Sequence, residues 1–189
     1  MTQKLWQTKP KLIYSKDVID IVQFGSSVME NSNPNDIDVA VIFFKIPLKE
    51  QLQQSQQIKK QIEKLTSIAI HISSYDYYSL FDRSNFAKEN ILLCGRSIIH
   101  GKYLAELFGF IPVVQIFYTL ENLEKRDKIK FNYMLNGKKG EYGLLRKYGG
   151  KLLKPGLIEI APEYGNLLLE SIKKVSSSCM QKSVLQVVE

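Results

Sequence analysis

With 189 residues, 44% of them hydrophobic, and a formal charge of +7, the chain can bury one good core, or divide between a core domain and a smaller appendage. This composition excludes an intrinsically disordered protein, and two widely separated cysteines, Cys94 and Cys179, exclude a disulfide framework and show no metal-ligand spacing. The first residues lack the apolar run of a secretory signal and the longest apolar stretch, Ile111 to Leu120, contains Gln115, so a cytoplasmic protein without a membrane span is expected.

In chain order, Val18 to Phe24 reads as a buried strand, because it is short, rich in β-branched residues and ends at Gly25-Ser26. The run Ser27 to Asn35 supplies turn chemistry through Asn31, Ser32, Asn33, Pro34 and Asn35 after a short helix. A second strand is expected from Ile37 to Phe44. The apolar positions Leu48, Leu52, Ile58, Ile62 and Leu65 stand mostly three or four apart, which describes an amphipathic helix with one buried stripe. Ser67 to Ile72 reads as a strand, Tyr75 to Leu93 as a helical segment, and Arg96 to His100 as a short strand closing an α/β domain near Phe110.

Beyond Pro112 the composition changes, and residues 111–189 read as a smaller basic α+β module. Glu121 to Leu135 forms a basic helix, and the glycines that follow are best explained as turns and helix ends. Lys151 to Ala161 reads as a hairpin turning at Lys154-Pro155-Gly156-Leu157, with proline fixing the first central φ and glycine taking positive φ at the next. Pro162 to Lys174 is a last helix, and the Ser-rich end is expected to fray. Between Leu120 and Gly156 the residues Lys125, Arg126, Lys128, Lys130, Lys138, Lys139, Arg146, Lys147, Lys151 and Lys154 face only four acidic residues, a net charge of +6 and nearly the whole excess. Interleaved with Phe131, Tyr133, Tyr142 and Tyr148, this window reads either as a nucleic-acid platform or as a solvated helix face with buried aromatics.

The chemistry concentrates in Phe24-Gly25-Ser26, nine intervening residues, and Asp36-Ile37-Asp38-Val39. In a strand, residues two apart share a face, so Asp36 and Asp38 project together while Ile37 and Val39 enter the core. Neighbouring carboxylates repel, and a divalent cation such as Mg2+ or Mn2+ relieves that repulsion while keeping both ionised. Gly25 allows a sharp turn and close approach of a phosphate to the backbone, and Ser26 adds a hydroxyl donor. On adjacent strands the bend would hold a triphosphate tail beside the metals that bridge it.

This pattern of hydrophobic-Gly-Ser, spacer and Asp-hydrophobic-Asp-hydrophobic resembles the DNA polymerase β nucleotidyltransferase superfamily, especially its minimal archaeal and bacterial members. The resemblance covers Val18 to Lys102. It implies a palm-like mixed sheet flanked by helices, transfer of a nucleoside monophosphate from an NTP, and metal binding by Asp36 and Asp38. The segment Lys128 to Pro162 is similar to a C-terminal extension of some archaeal members. RNA or a protein is the acceptor class this leaves open, and a fold-keeping binding module is the alternative function.

The chain departs from the family pattern in two places. Active members add a third carboxylate from a later strand, but Ser67-Ile68-Ala69-Ile70-His71-Ile72 contains none. His71 in that strand, or Asp76 just beyond it, is left to fill the position, although His71 also reads as a hydrogen-bonded core residue and Asp76 as a helix cap. The basic residue that usually follows Gly-Ser is Ser27 here, which leaves Lys88, Arg96 or Lys102 as sources of positive charge for the phosphates.

Overall fold

A computed structural model describes residues 4–138, 141–176 and 178–187, which places Lys139 and Gly140 of the basic window outside the described residues. The architecture is mixed α and β with two four-stranded sheets. In chain order the elements are α1 (Leu5–Thr8), β1 (Val18–Phe24), β2 (Asp36–Phe43), α2 (Leu48–Ile62), β3 (Ala69–Asp76), α3 (Tyr77–Phe81), α4 (Lys88–Cys94), β4 (Arg96–Ser97), β5 (Phe110–Tyr118), α5 (Lys125–Asn136), α6 (Leu144–Tyr148), β6 (Lys151–Lys154), β7 (Leu157–Ile160), α7 (Pro162–Lys173) and β8 (Cys179–Val187). Two compact units divide the chain, Met1–Phe110 and Ile111–Glu189. Among the described residues no helix is long and apolar enough to cross a membrane.

The first unit holds the sheet β3-β2-β1-β4. β1 runs antiparallel to β2, and β2 runs parallel to β3 through the crossover helix α2. Both faces of this sheet are covered. Ile21, Ile37, Val39, Val41 and Phe43 pack with Ile58 and Ile62 of α2 on one side. Val22, Phe24, Ala40 and Ile42 pack with Leu80 of α3, Ile91 of α4 and Leu104 on the other. This double burial explains why β1 and β2 read as nearly unbroken apolar runs rather than alternating ones. Each fully buried isoleucine contributes about 1.5–3 kcal/mol by leaving water, and the buried face of α2 is Gln51, Ser55, Ile58 and Ile62, whereas Leu48, Leu52 and Leu65 of the expected apolar stripe are exposed.

Three further expectations for this unit need correction. β3 continues to Asp76, past the expected end at Ile72, because its parallel register with β2 extends to Phe43↔Asp76 and that ladder outweighs the polar Ser73-Ser74. The expected helix from Tyr75 to Leu93 is two short helices. Between them, Asp82 accepts from the Ser84 N–H at 2.8 Å and Asn85 from the Ala87 N–H at 3.0 Å, side-chain turns that displace helical hydrogen bonds. The strand expected over Arg96 to His100 is only Arg96–Ser97, where its pairing with Val22 and Gln23 ends.

The second unit holds the sheet β6-β7-β5-β8. Alternate residues of β5 (Val114, Ile116) and β7 (Ile158, Ile160) bury one face against Phe131 and Leu135 of α5, Leu145 of α6, and Leu168 and Ile172 of α7. The β6–β7 turn has the expected geometry: Lys154 pairs with Leu157, and Gly156 sits at φ 85°. The Ser-rich end does not simply fray, because Cys179–Val187 forms β8 and takes the edge position beside β5. β5 itself carried no sequence assignment. Its Pro112 reads as a break, yet the ladder to β7 begins at Val114, so the missing N–H costs no bond there.

Candidate metal and nucleotide site

The antiparallel register of β1 with β2 pairs Phe24 with Asp38, which brings the bend after β1 against the start of β2. Residues Gly25–Val28 form one 3₁₀ turn, and Gly25 adopts φ 74°. That conformation, together with the space, accounts for the glycine. A Cβ added at residue 25 would stand 2.5 Å from an Asp38 carboxylate oxygen, where neither atom can give way without moving the carboxylate. The turn is braced from inside: the buried Ser27 hydroxyl donates to the Phe24 carbonyl at 3.0 Å and accepts from the Gln23 amide at 3.1 Å. Ser26 instead lies exposed, and its carbonyl accepts from the Ser32 hydroxyl at 2.6 Å, which ties the spacer back to the bend.

Asp36 and Asp38 are both half-buried on β2, while Ile37 and Val39 between and beside them are fully buried. The parallel partner strand contributes the next group, since Asp38 pairs with His71. Ligand atoms from Asp36, Asp38 and His71 all lie within 4.8 Å of one another. His71 Nδ1 is 3.4 Å from an Asp36 oxygen, and the imidazole is 67% exposed, so it is a surface group at a sheet edge and not a core histidine. Burial raises the Asp38 pKa above the ordinary carboxylate value, the Asp36 charge raises it further, and His71 opposes both.

The donor set fits a small divalent cation. Two ligands about 2.1 Å from one ion stand about 3.0–3.4 Å apart, the spacing seen between His71 and Asp36. The missing Cβ at Gly25 leaves room for the Asp38 carboxylate against the bend.

Asp76 is elsewhere and has another job. It caps α3, accepting from the Ser79 N–H at 2.7 Å while the Ser79 hydroxyl accepts from the Asp76 N–H at 2.9 Å. Hydrogen bonds to its carboxyl from Ser79, the backbone N–H first and the side chain next, hold it below the usual range. Of the three cations, Arg96 pairs with Gln23 close to the bend, and its guanidinium stacks 3.4 Å from the Tyr103 ring centroid and 4.4 Å from that of Trp6. The Lys88 ammonium donates to the Asp82 carbonyl at 2.9 Å, and Lys102 lies in the turn after β4.

Sequence reasoning missed the N-terminal segment. The Leu5 N–H donates to the Gln23 side chain at 2.9 Å, which anchors α1 at the β1 end, and Lys4 bridges to Glu30 of the spacer. Lys4, Trp6 and Arg96 thereby form a cationic and aromatic cluster on the bend side, and no spacing in the sequence announces it.

Three comparisons, with protein-family models, with curated proteins and with solved structures, find no match for this chain.

Proposed function

We propose that the chain is a metal-dependent nucleotidyltransferase of the polymerase β type, which moves a nucleoside monophosphate from an NTP to an acceptor hydroxyl. One observation carries this reading: two half-buried carboxylates share a strand face directly against a glycine-serine bend whose backbone a Cβ would obstruct. In the reaction the acceptor oxygen bonds to the α-phosphorus and the P–O bond to the β-phosphate breaks. Pyrophosphate leaves, and the hydroxyl proton passes to solvent.

The residues divide the work of positioning and charge neutralisation that such a transfer needs. Asp36 and Asp38 would hold the cation, which when bound favours the alkoxide form of the acceptor and neutralises charge on the leaving pyrophosphate. Gly25 and Ser26 would take the triphosphate through the open bend and the exposed hydroxyl. Arg96, opposite Gln23 in register, shares that residue's sheet face rather than the face of Asp38, and its guanidinium stacks on Trp6 and Tyr103.

The second unit supports an anionic acceptor such as RNA. α5 buries Phe131 and Leu135 and exposes Lys125, Arg126, Lys128 and Lys130 along with Tyr133. A cavity of about 580 Å³ beside it is lined by Tyr118, Glu121, Lys128, Asn132 and Leu152 among others, which offers a ring, one lysine and one carboxylate. The same surface carries the second reading, a nucleic-acid-binding module that keeps the fold without catalysis.

Incubation of the protein with labelled NTPs, a divalent cation and pools of RNA and protein acceptors decides between them. The reading predicts label transfer that Asp36→Asn or Asp38→Asn lowers by at least about 100-fold, the scale on which a single electrostatic contributor to the transition state acts. Absence of both transfer and NTP binding, beside RNA affinity that falls steeply with salt and ignores Asp38→Asn, favours the binding module.

A further inference from the structure

The third position of the metal site is occupied by a nitrogen donor, and this bears on which ion the site takes. β3 stands parallel to β2 with Asp38 opposite His71, and the positions around it on β3, Ala69, Ile70, Ile72 and Ser73, offer no carboxylate. The next carboxylate along the strand, Asp76, is committed to the α3 cap, with both its backbone N–H and its side chain engaged by Ser79. Among the described residues the group that can hold a metal is therefore two carboxylates and one imidazole.

From this donor set we infer that the site selects a first-row transition dication, Mn2+ or a later one, over Mg2+, and that His71 is the residue that sets the selection. The inference rests on the reading of Asp36 and Asp38 as metal ligands. Mg2+ is a hard ion that dehydrates reluctantly and draws its affinity from charged oxygen ligands. Replacing a third carboxylate with a neutral imidazole removes one negative charge from its shell and substitutes a donor it binds poorly. Imidazole suits the first-row transition ions, whose bonding to nitrogen compensates for the missing charge. The imidazole of His71 is 67% exposed, and its Nδ1 lies 3.4 Å from an Asp36 oxygen.

Mn2+ is the informative probe because it accepts the same octahedral, oxygen-rich surroundings as Mg2+, so a difference between the two reports the nitrogen. Titrations of the full chain with Mn2+, followed by electron paramagnetic resonance, and with Mg2+ by competition give both dissociation constants without any turnover. The same titrations on His71→Asp and His71→Ala, with folding checked by circular dichroism, isolate the residue.

The expected result is that His71→Asp lowers the Mn2+ preference over Mg2+ by about tenfold or more, mainly by tightening Mg2+. His71→Ala should weaken Mn2+ by about tenfold or more, the scale on which even outer-shell partners of a metal act. If the Mn2+ to Mg2+ ratio is the same in the wild type and both variants, the inference falls while the reading of Asp36 and Asp38 stands. If neither ion binds the wild type, or if binding survives in Asp36→Asn and Asp38→Asn unchanged, the reading falls with it.

Discussion

Gly25 is where backbone conformation and site chemistry coincide. Its φ of 74° belongs to the region side chains avoid, and its missing Cβ is the space that the Asp38 carboxylate uses. Gly25→Ala is therefore expected to cost about 1–2 kcal/mol of stability from the left-handed conformation alone and to displace the Asp38 carboxylate, weakening divalent-cation affinity as well. Thermal unfolding paired with a cation titration checks this, and a variant with wild-type affinity would show that the carboxylate does not depend on the bend. At this scale the sequence was informative where one residue type has one reason to be present. Asp36 and Asp38 were legible because a period of two puts them on one face. For His71 the sequence left a place beside the aspartates and a core position both open, because whether it meets Asp36 depends on the register between β2 and β3, which no local pattern states.

At the scale of elements, β1 buries something the site does not use. Asp20 is fully buried beside β4, where one oxygen accepts from the Ser97 hydroxyl at 2.8 Å and from the Ile21 N–H at 2.7 Å. Its other oxygen has no partner among the described residues. Burial raises its pKa above the ordinary carboxylate value, with the Ser97 bond, the Ile21 bond and His100 pulling the other way. The folded state thus binds this proton more tightly than the unfolded chain does. The stability it confers is complete below about pH 3.9 and is lost as pH rises through the window up to the raised folded value. Asp20→Asn removes that loss, so its melting temperature relative to wild type should climb as pH rises above about 4 and then level off. Melting curves across pH 3 to 8 test it, and a difference that stays flat with pH would mean that the buried carboxyl titrates as it does when unfolded.

The elements legible in the sequence were those whose pattern is decided by their own residues. β1 and β2 announce themselves through apolar runs, while α2 was legible as a helix but not in its buried face, which takes Gln51 and Ser55 with Ile58 and Ile62 and leaves Leu48 and Leu52 exposed. α3 and α4 were misjudged as one helix because the side-chain turns of Asp82 and Asn85 stop it where composition alone permits it. β5 and β8 were missed for a related reason. They are strands because each has a neighbour in the second sheet, and neither Pro112 nor the polar Gln181-Lys182-Ser183 favours a strand in isolation.

For the molecule as a whole, charge and chemistry are segregated by unit. The aspartate pair, the bend and His71 belong to the first, and the basic window from Leu120 to Gly156 belongs to the second. A change of composition after Pro112 made that separation readable, whereas the strand order of each sheet required the long-range pairing of β4 with β1 and of β5 with β7. The central claim is that Asp36 and Asp38 are held together to bind a divalent cation beside the Gly25 bend. Its most direct test is a crystal soaked with Mn2+ and a non-hydrolysable NTP, measured for anomalous scattering. The account predicts a peak about 2.1 Å from oxygens of both aspartates, with the triphosphate against Gly25 and Ser26. No peak at this position at saturating ion, or the two carboxylates turned to different sides of β2, would contradict it.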